Sequence, residues 1–190
     1  RSVQARLDGG NFHAALRYIT DEEAFLIAQR PEIKAAARYG VLNYRGEDGY
    51  TLSGKTAVIM GCDEPFVTDM MVDGIVEGNF PQTESEIMLT QSAKARLGFQ
   101  VGDTIVMDGP DDKKLSYMIS GFCKDTIKTT SEDSLGAAIT TEAFRTIYPA
   151  VKNETLEDYD SVFYIQFENP WKARQEISDL KADCGLSDDQ

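Results

Sequence analysis

The stretch Glu86-Ile87-Met88-Leu89-Thr90-Gln91-Ser92-Ala93-Lys94-Ala95-Arg96-Leu97-Gly98, followed by Val101-Gly102-Asp103-Thr104-Ile105-Val106-Met107, decides how this 190-residue chain is read. Glu86–Leu89 is a short apolar strand. Thr90 places a hydroxyl where the first free amides of a helix need an acceptor, and Gly98 supplies the residue that most easily turns left-handed at a helix end. The pattern therefore predicts a helix over 91–97. Val101-Gly102-Asp103-Thr104 aims the chain straight into a second strand, Ile105–Met107. After the polar turn Gly109–Lys113, Leu115–Phe122 alternates as a third strand with Tyr117, Ile119 and Gly121 on one face. These strands predict a small antiparallel lobe.

Upstream, Thr20 and Glu23 have capping-box spacing ahead of Ala24, Ile27 and Ala28, which predicts a helix over 21–30 that stops before Pro31. Ile33–Leu42 and Gly49–Met60 read as a hairpin around a Gly46–Gly49 turn, with Tyr39, Val41, Val58 and Ile59 as core candidates. A short helix is expected over 64–71, with Pro65 at an early position where a missing amide costs little. Gly74 and Gly78 break any period between Val72 and Pro81, which reads as a winding connection between lobes. Downstream, 124–136 reads as an exposed loop, 137–140 as a strand and 142–148 as a helix ended by Pro149. A polar linker runs to Tyr159. Val162–Phe167 is a strand, and Asn169-Pro170 opens a helix with Ile177, Leu180 and Cys184 inward and Gly185 as its stop. The sum is an α+β fold. One domain, 1–190, is expected to hold a mixed α/β lobe built from both chain ends (1–80 plus 135–190) and a smaller, mostly β middle lobe (81–134).

Composition narrows the function. Nineteen Lys and Arg stand against 32 Asp and Glu, a formal charge of −13. Such a surface repels a phosphate backbone, so nucleic acid is excluded as a partner class. Hydrophobic residues make up 42% of the chain, enough for a core without disulfide staples. Cys62, Cys123 and Cys184 lie about sixty residues apart and match neither a disulfide scaffold nor a zinc site built from close pairs. No run approaches the ~20 apolar residues that cross a bilayer.

The residues that bear chemistry are sparse. His13 is the sole histidine, and a locally hydrogen-bonded role outweighs catalysis because no cysteine or carboxylate cluster sits beside it. Cys62, between Gly61 and Asp63 after an apolar strand, sits where a turn can display a nucleophile, but a structural thiol is the stronger reading for it, as for Cys123 and Cys184. The acidic groups Asp111-Asp112, Glu132-Asp133, Glu157-Asp158-Asp160 and Asp188-Asp189 lack the ligand spacing of a calcium loop and read as solvated surface, with cationic peptides as conceivable ligands. Gly98, Gly102, Gly109 and Gly121 form no phosphate-cradling motif. Trp171 and Tyr164 are expected to anchor packing, and Met70-Met71 to sit in core or connector. No catalytic, cofactor-binding or metal-binding residue is assigned.

The order of phrases is more informative than any one residue. Asp73-Gly74-Ile75-Val76-Glu77-Gly78-Asn79-Phe80-Pro81, then Glu86-Ile87-Met88-Leu89-Thr90, Ala93–Gly98, Val101-Gly102-Asp103-Thr104-Ile105 and Tyr117–Phe122 resemble the extracytoplasmic core domain of FtsX-like and MacB-like ABC-transporter permeases. Gly10-Asn11-Phe12-His13 and the Thr20–Pro31 helix resemble the opening of Gram-positive members, and the similarity spans most of 10–170. The resemblance implies a non-catalytic domain, without cofactor, held outside the cytoplasmic membrane between two membrane helices of its own permease. A separate cytoplasmic ATPase subunit would supply the fuel, and the domain would relay that motion to substrate or to a peptide, lipoprotein or cell-wall-associated partner. The glycine-bearing connection at 72–80 is expected to link the two lobes and to give that motion a mechanical route. A secreted or membrane-tethered peptide- or carbohydrate-binding module is the alternative.

Overall fold

The computed structural model describes residues 11–71, 74–125, 134–152 and 162–187. Among them the chain forms β1 (Ala14–Arg17), α1 (Asp21–Ala28), β2 (Ile33–Leu42), β3 (Thr51–Leu52), β4 (Lys55–Cys62), β5 (Ile75–Gly78) and β6 (Glu86–Thr90). Then follow α2 (Gln91–Leu97), β7 (Thr104–Asp108), β8 (Lys114–Cys123), β9 (Leu135–Thr140), α3 (Thr141–Lys152), β10 (Val162–Phe167) and α4 (Ala173–Cys184).

Backbone pairing joins these strands into one sheet in the order β1-β10-β2-β4-β3-β7-β8-β6-β9, with β5 on β8. β9 also runs parallel to β4, from Ala57 opposite Leu135 to Cys62 opposite Thr140. That second pairing closes β4, β3, β7, β8, β6 and β9 into a barrel, while β2, β10 and β1 extend from β4 as an open wing. Alternation along β4 explains the layers. Ala57 and Ile59 join the barrel interior with Leu52, Ile87, Ile105 and Ile119. Val58, Met60 and Cys62 point the other way, under Phe66, Val67 and Met70 of a π-helical turn, and fill a second core. On the wing, Phe163, Ile165 and Phe167 pack with Ile27 of α1 and Leu180 of α4 as a third.

Helices from both chain ends thus flank a mostly β barrel lobe, the expected α+β class. The capping signals act as read. Glu23 N–H donates to Thr20 Oγ1 while Thr20 N–H donates to the Glu23 carboxylate, and Gly98 caps α2 at φ 76°.

Several expectations change. The helix expected to end at Pro149 continues to Lys152, and Pro149, the ninth of its 12 residues, has no amide to donate to the Arg145 carbonyl. The alternation over Tyr117, Ile119 and Gly121 breaks at a bulge: Ile87 pairs with Ile119 but Met88 pairs with Gly121, so Ser120 is the extra residue. Phe122, not Gly121, consequently shares the barrel interior with Ile119. The connection expected to hinge between lobes is tied down over its described part, 74–80. β5 pairs with β8, Lys124 N–H donates to Gly74 C=O at 3.0 Å, and Asn79 N–H donates to Ser120 C=O at 2.9 Å. Gly78 (φ 72°) and Gly121 allow that approach, since a Cβ on either would meet the facing backbone. Residues 81–134 and the chain-end portions are bridged by β9, which pairs with β4 on one side and β6 on the other. Most of the expected 124–136 loop and the linker to Tyr159 lie outside the described residues.

Candidate functional site

The residues singled out for chemistry are dispersed and mostly structural. His13 precedes β1, and its Nδ1 accepts the Phe167 amide at 2.8 Å, so the ring splints β1 to β10. Burial, and then the nearby Lys34 charge, hold its pKa below the ordinary value of 6.5. A depressed pKa on a base means that the unfolded chain takes up the proton first. The stabilisation is therefore full above pH 6.5 and fades as pH falls from there toward the folded-state pKa. Urea midpoints measured between pH 7.5 and 5 should fall for the native protein, and His13→Gln should flatten that slope. An unchanged slope would remove His13 from the acid response.

Cys62 and Cys123 are buried, and all three cysteines are free thiols. Desolvation raises the Cys62 thiol well above its usual pKa and the Cys123 thiol to about 12, so both stay protonated and unreactive at neutral pH. Cys184 lies half-buried on α4. Tyr164 is buried against Phe12 and Tyr39, with ring centroids 4.4 and 5.9 Å away, and Met70 and Met71 are core residues. Trp171 departs from the packing role expected of it. Asn169 Oδ1 accepts the Trp171 amide at 3.1 Å in a tight turn, and the indole is 96% exposed. Asp111 and Asp112 are exposed; the Glu132, Glu157 and Asp188 groups fall outside the described residues. Among the described residues no three His, Cys, Asp or Glu side chains could hold a metal together.

Two features had no signature in the sequence. The first is a charged clasp across three elements. Arg38 of β2, 5% exposed, donates to the Ile19 carbonyl at 2.8 Å and to Asp21 at 2.9 Å, while Arg145 of α3 grips both oxygens of the same Asp21 at 2.7 and 3.0 Å. The Arg145 hydrogen bond is the main cause of the lowered Asp21 pKa. Asp63, just past β4, accepts the Arg38 amide at 2.7 Å and the Thr141 hydroxyl at 2.5 Å, which ties the start of α3 to β2.

The second feature is an open cleft of about 670 Å³ between the 82–85 turn, the start of β8 and the first turns of α3. Its polar lining includes Gln82, Ser85, Ser116, Thr140 and the carboxylates Glu84 and Glu142. Glu86 accepts the amides of Gln82 and Thr83 and so preforms one wall. Thr146 reaches across to Glu84 at 3.3 Å. Hydroxyls, an amide and two carboxylates suit this cleft to holding a polar ligand; it holds no cysteine or histidine to act as nucleophile or base.

Residues 2–180 match the MacB-like periplasmic core domain model, and the chain belongs to that family. The fold resembles the periplasmic region of MacB from Actinobacillus actinomycetemcomitans, with TM-score 0.57, 11% identity, and coverage of 97% of this chain and 90% of that one. It also resembles the extracellular domain of the noncanonic ABC-type transporter YknZ from Gram-positive bacteria, with TM-score 0.55, 10% identity, and coverage of 89% and 86%. A domain of a protein assigned as a permease from Porphyromonas gingivalis gives TM-score 0.53 at 12% identity, with coverage of 86% and 75%. A search of curated proteins finds no match. The protein is a non-catalytic domain on the outer side of the membrane, part of a membrane-anchored MacB/FtsX-like permease.

Proposed function

We propose that this domain transmits motion from a separate cytoplasmic ATPase, through the permease's own membrane helices, to a substrate or an external peptide, lipoprotein or cell-wall-associated partner. The observation that carries this reading is mechanical. One uninterrupted sheet connects the incoming strand β1 to the barrel, and β9 braces the middle portion (81–134) against the portions from both chain ends (1–80 and 135–190). We take these sub-lobes to move as one body, because a hinge between them would break the β9 ladders. The Arg38–Asp21–Arg145 clasp stiffens the same route by fastening α1 to α3.

Reconstitution of the parent permease with its ATPase tests the proposal. Replacing the domain by a flexible linker should leave ATP hydrolysis in place while abolishing ATP-dependent substrate movement or partner release. Undiminished movement with the linker would defeat it. Family membership favours this account over a free-standing secreted binding module.

A further inference from the structure

We infer that the cleft between the 82–85 turn, the start of β8 and α3 is a binding site for a basic peptide side chain, an ammonium group carried on an apolar stem. This deepens the transmission proposal by naming what the domain grips, and rests on it only for the presence of a peptide partner. Carboxylates are ordinary on the surface of an acidic chain and carry nothing by themselves. Here they line a cavity that also holds an unbonded, buried hydroxyl.

That hydroxyl belongs to Tyr117 of β8, which lines the cleft and is 5% exposed. It makes no hydrogen bond to any described residue. A buried tyrosine hydroxyl ordinarily finds a partner, because an unmade hydrogen bond leaves its desolvation uncompensated. Gln166 Oε1 is the sole unbonded side-chain polar atom sealed from solvent among the described residues. The Tyr117 oxygen therefore reaches open space, and the open space that Tyr117 lines is this cleft. Burial pushes its pKa up to about 12, so it stays a neutral hydroxyl that can accept from a cation.

The charge around it selects the sign of the ligand. Glu142 and Thr146 stand one turn apart on α3, and Thr146 Oγ1 lies 3.3 Å from a Glu84 carboxylate oxygen, which brings both acids to one side of the cleft. Neither has an ion pair among the described residues. The amino end of α3 supplies about half a positive charge beside Glu142, but Glu84 has only the Thr146 hydroxyl. Lys114 also lines the cleft, yet it donates to Asp108 at 2.6 Å and feels Asp112 as well. Lys113 is exposed next to it, and Glu86, Asp108, Asp111 and Asp112 outnumber the two lysines. A cation entering the cleft meets uncompensated negative charge; an anion is repelled.

The remaining lining fits a lysine side chain in a peptide. Leu115, Ala143 and Ile147 offer apolar contact to a methylene stem. Gln82, Ser85 and Ser116 offer amide and hydroxyl groups to the adjoining peptide bonds, and because the cleft is open the peptide can continue out of it. A wholly apolar ligand would leave the Tyr117 hydroxyl and both carboxylates unanswered.

Amide NMR spectra of the isotope-labelled chain, titrated with N-acetyl-lysine methylamide, test this. Saturable shifts are expected at the amides of 82–85, 116 and 142–147. N-acetyl-norleucine methylamide, which lacks the cation, should bind at least about fivefold more weakly. Glu84→Gln with Glu142→Gln should weaken lysine binding about tenfold, since each partly exposed ion pair contributes up to about a factor of five. Tyr117→Phe should weaken it about fivefold while leaving the urea midpoint in place, because the hydroxyl has no protein partner to lose. Glu22→Gln with Glu47→Gln removes the same charge outside the cleft and should leave binding within about twofold. Absence of saturable shifts in the cleft would overturn the inference. So would equal binding of the norleucine probe, or an equal loss from the Glu22 and Glu47 changes, which would mean attraction to the acidic surface at large. The titration needs no ATPase, so failed binding leaves the transmission proposal standing, and failed reconstitution leaves the cleft assignment standing.

Discussion

Gly61→Val should destabilise the domain by at least about 3 kcal/mol, at or beyond the upper end of ordinary overpacking costs. Gly61 lies on β4 between Gly40 of β2 and Ile139 of β9, and a Cβ there would overlap Cβ, Cγ and Cδ2 of Phe144. A distant ring atom can rotate aside, but the Phe144 Cβ moves only if α3 lifts off the sheet. That lift would expose Phe144, Ile147 and Ala143, all buried in the barrel cluster. Against a typical domain stability of about 5–15 kcal/mol, much of the native population is at risk. Urea denaturation monitored by circular dichroism checks this. Phe144→Ala alone should cost about 3–5 kcal/mol by leaving a cavity. Combining the two changes should cost clearly less than their sum, because each relieves the other's defect. A native-like midpoint for Gly61→Val would show that the sheet and α3 are not in the contact described.

Arg38→Leu should cost about 2–3 kcal/mol, mainly because the buried Ile19 carbonyl loses its donor and the stem loses its packing. The guanidinium also lies 5.8 Å over the Phe163 ring. The Asp21 ion pair contributes little of this figure, since the Asp21 side chain is 69% exposed and its charge is screened by water. Arg145→Leu cuts the same clasp from its exposed side and should cost less than about 1 kcal/mol, falling further with added salt. Denaturation of both variants at low and high ionic strength separates the contributions. Equal losses, or an Arg38→Leu loss that vanishes with salt, would mean that Arg38 acts through surface charge instead of burial.

Local rules made much of the fold legible. The Thr20–Glu23 and Thr90–Gly98 signals specify α1 and α2 because caps depend on residues within four positions of one another. Val162–Phe167 reads as a strand because both its faces are buried. What escaped depends on residues far apart in sequence. The parallel β4–β9 pairing joins positions 57–62 to 135–140, and no local pattern encodes it. The bulge at Ser120 shifts side chains to opposite faces without any glycine or proline at that residue. Pro149 misled because a proline removes one backbone donor without obliging the helix to stop, so it marks a boundary only loosely.

The candidate sites were less legible still. Arg38 shares β2 with a second cation, Lys34, so its charge does not single it out, and the clasp to Ile19, Asp21 and, through Asp21, Arg145 emerges only when α1 and α3 fold over β2. The cleft gathers side chains from 82–85, 114–117 and 140–147, three segments with unremarkable polar composition. Trp171 misled in the opposite direction, because apolar character predicts burial and a rigid turn can hold an apolar ring in water.

The pairing of β1 with β10 also fixes when the domain can finish forming. The first described strand finds its hydrogen-bonding neighbour only among residues 162–167, and the barrel stays unclosed until 135–140 slide between β4 and β6. A chain threaded outward from its amino end must therefore cross the membrane almost entirely before its first strand is covered. During that interval β4 and β6 present bare edges able to pair with a neighbouring copy. Maturation should accordingly be slow and favoured by helpers outside the membrane that shield those edges, with yield falling as secretion rate rises.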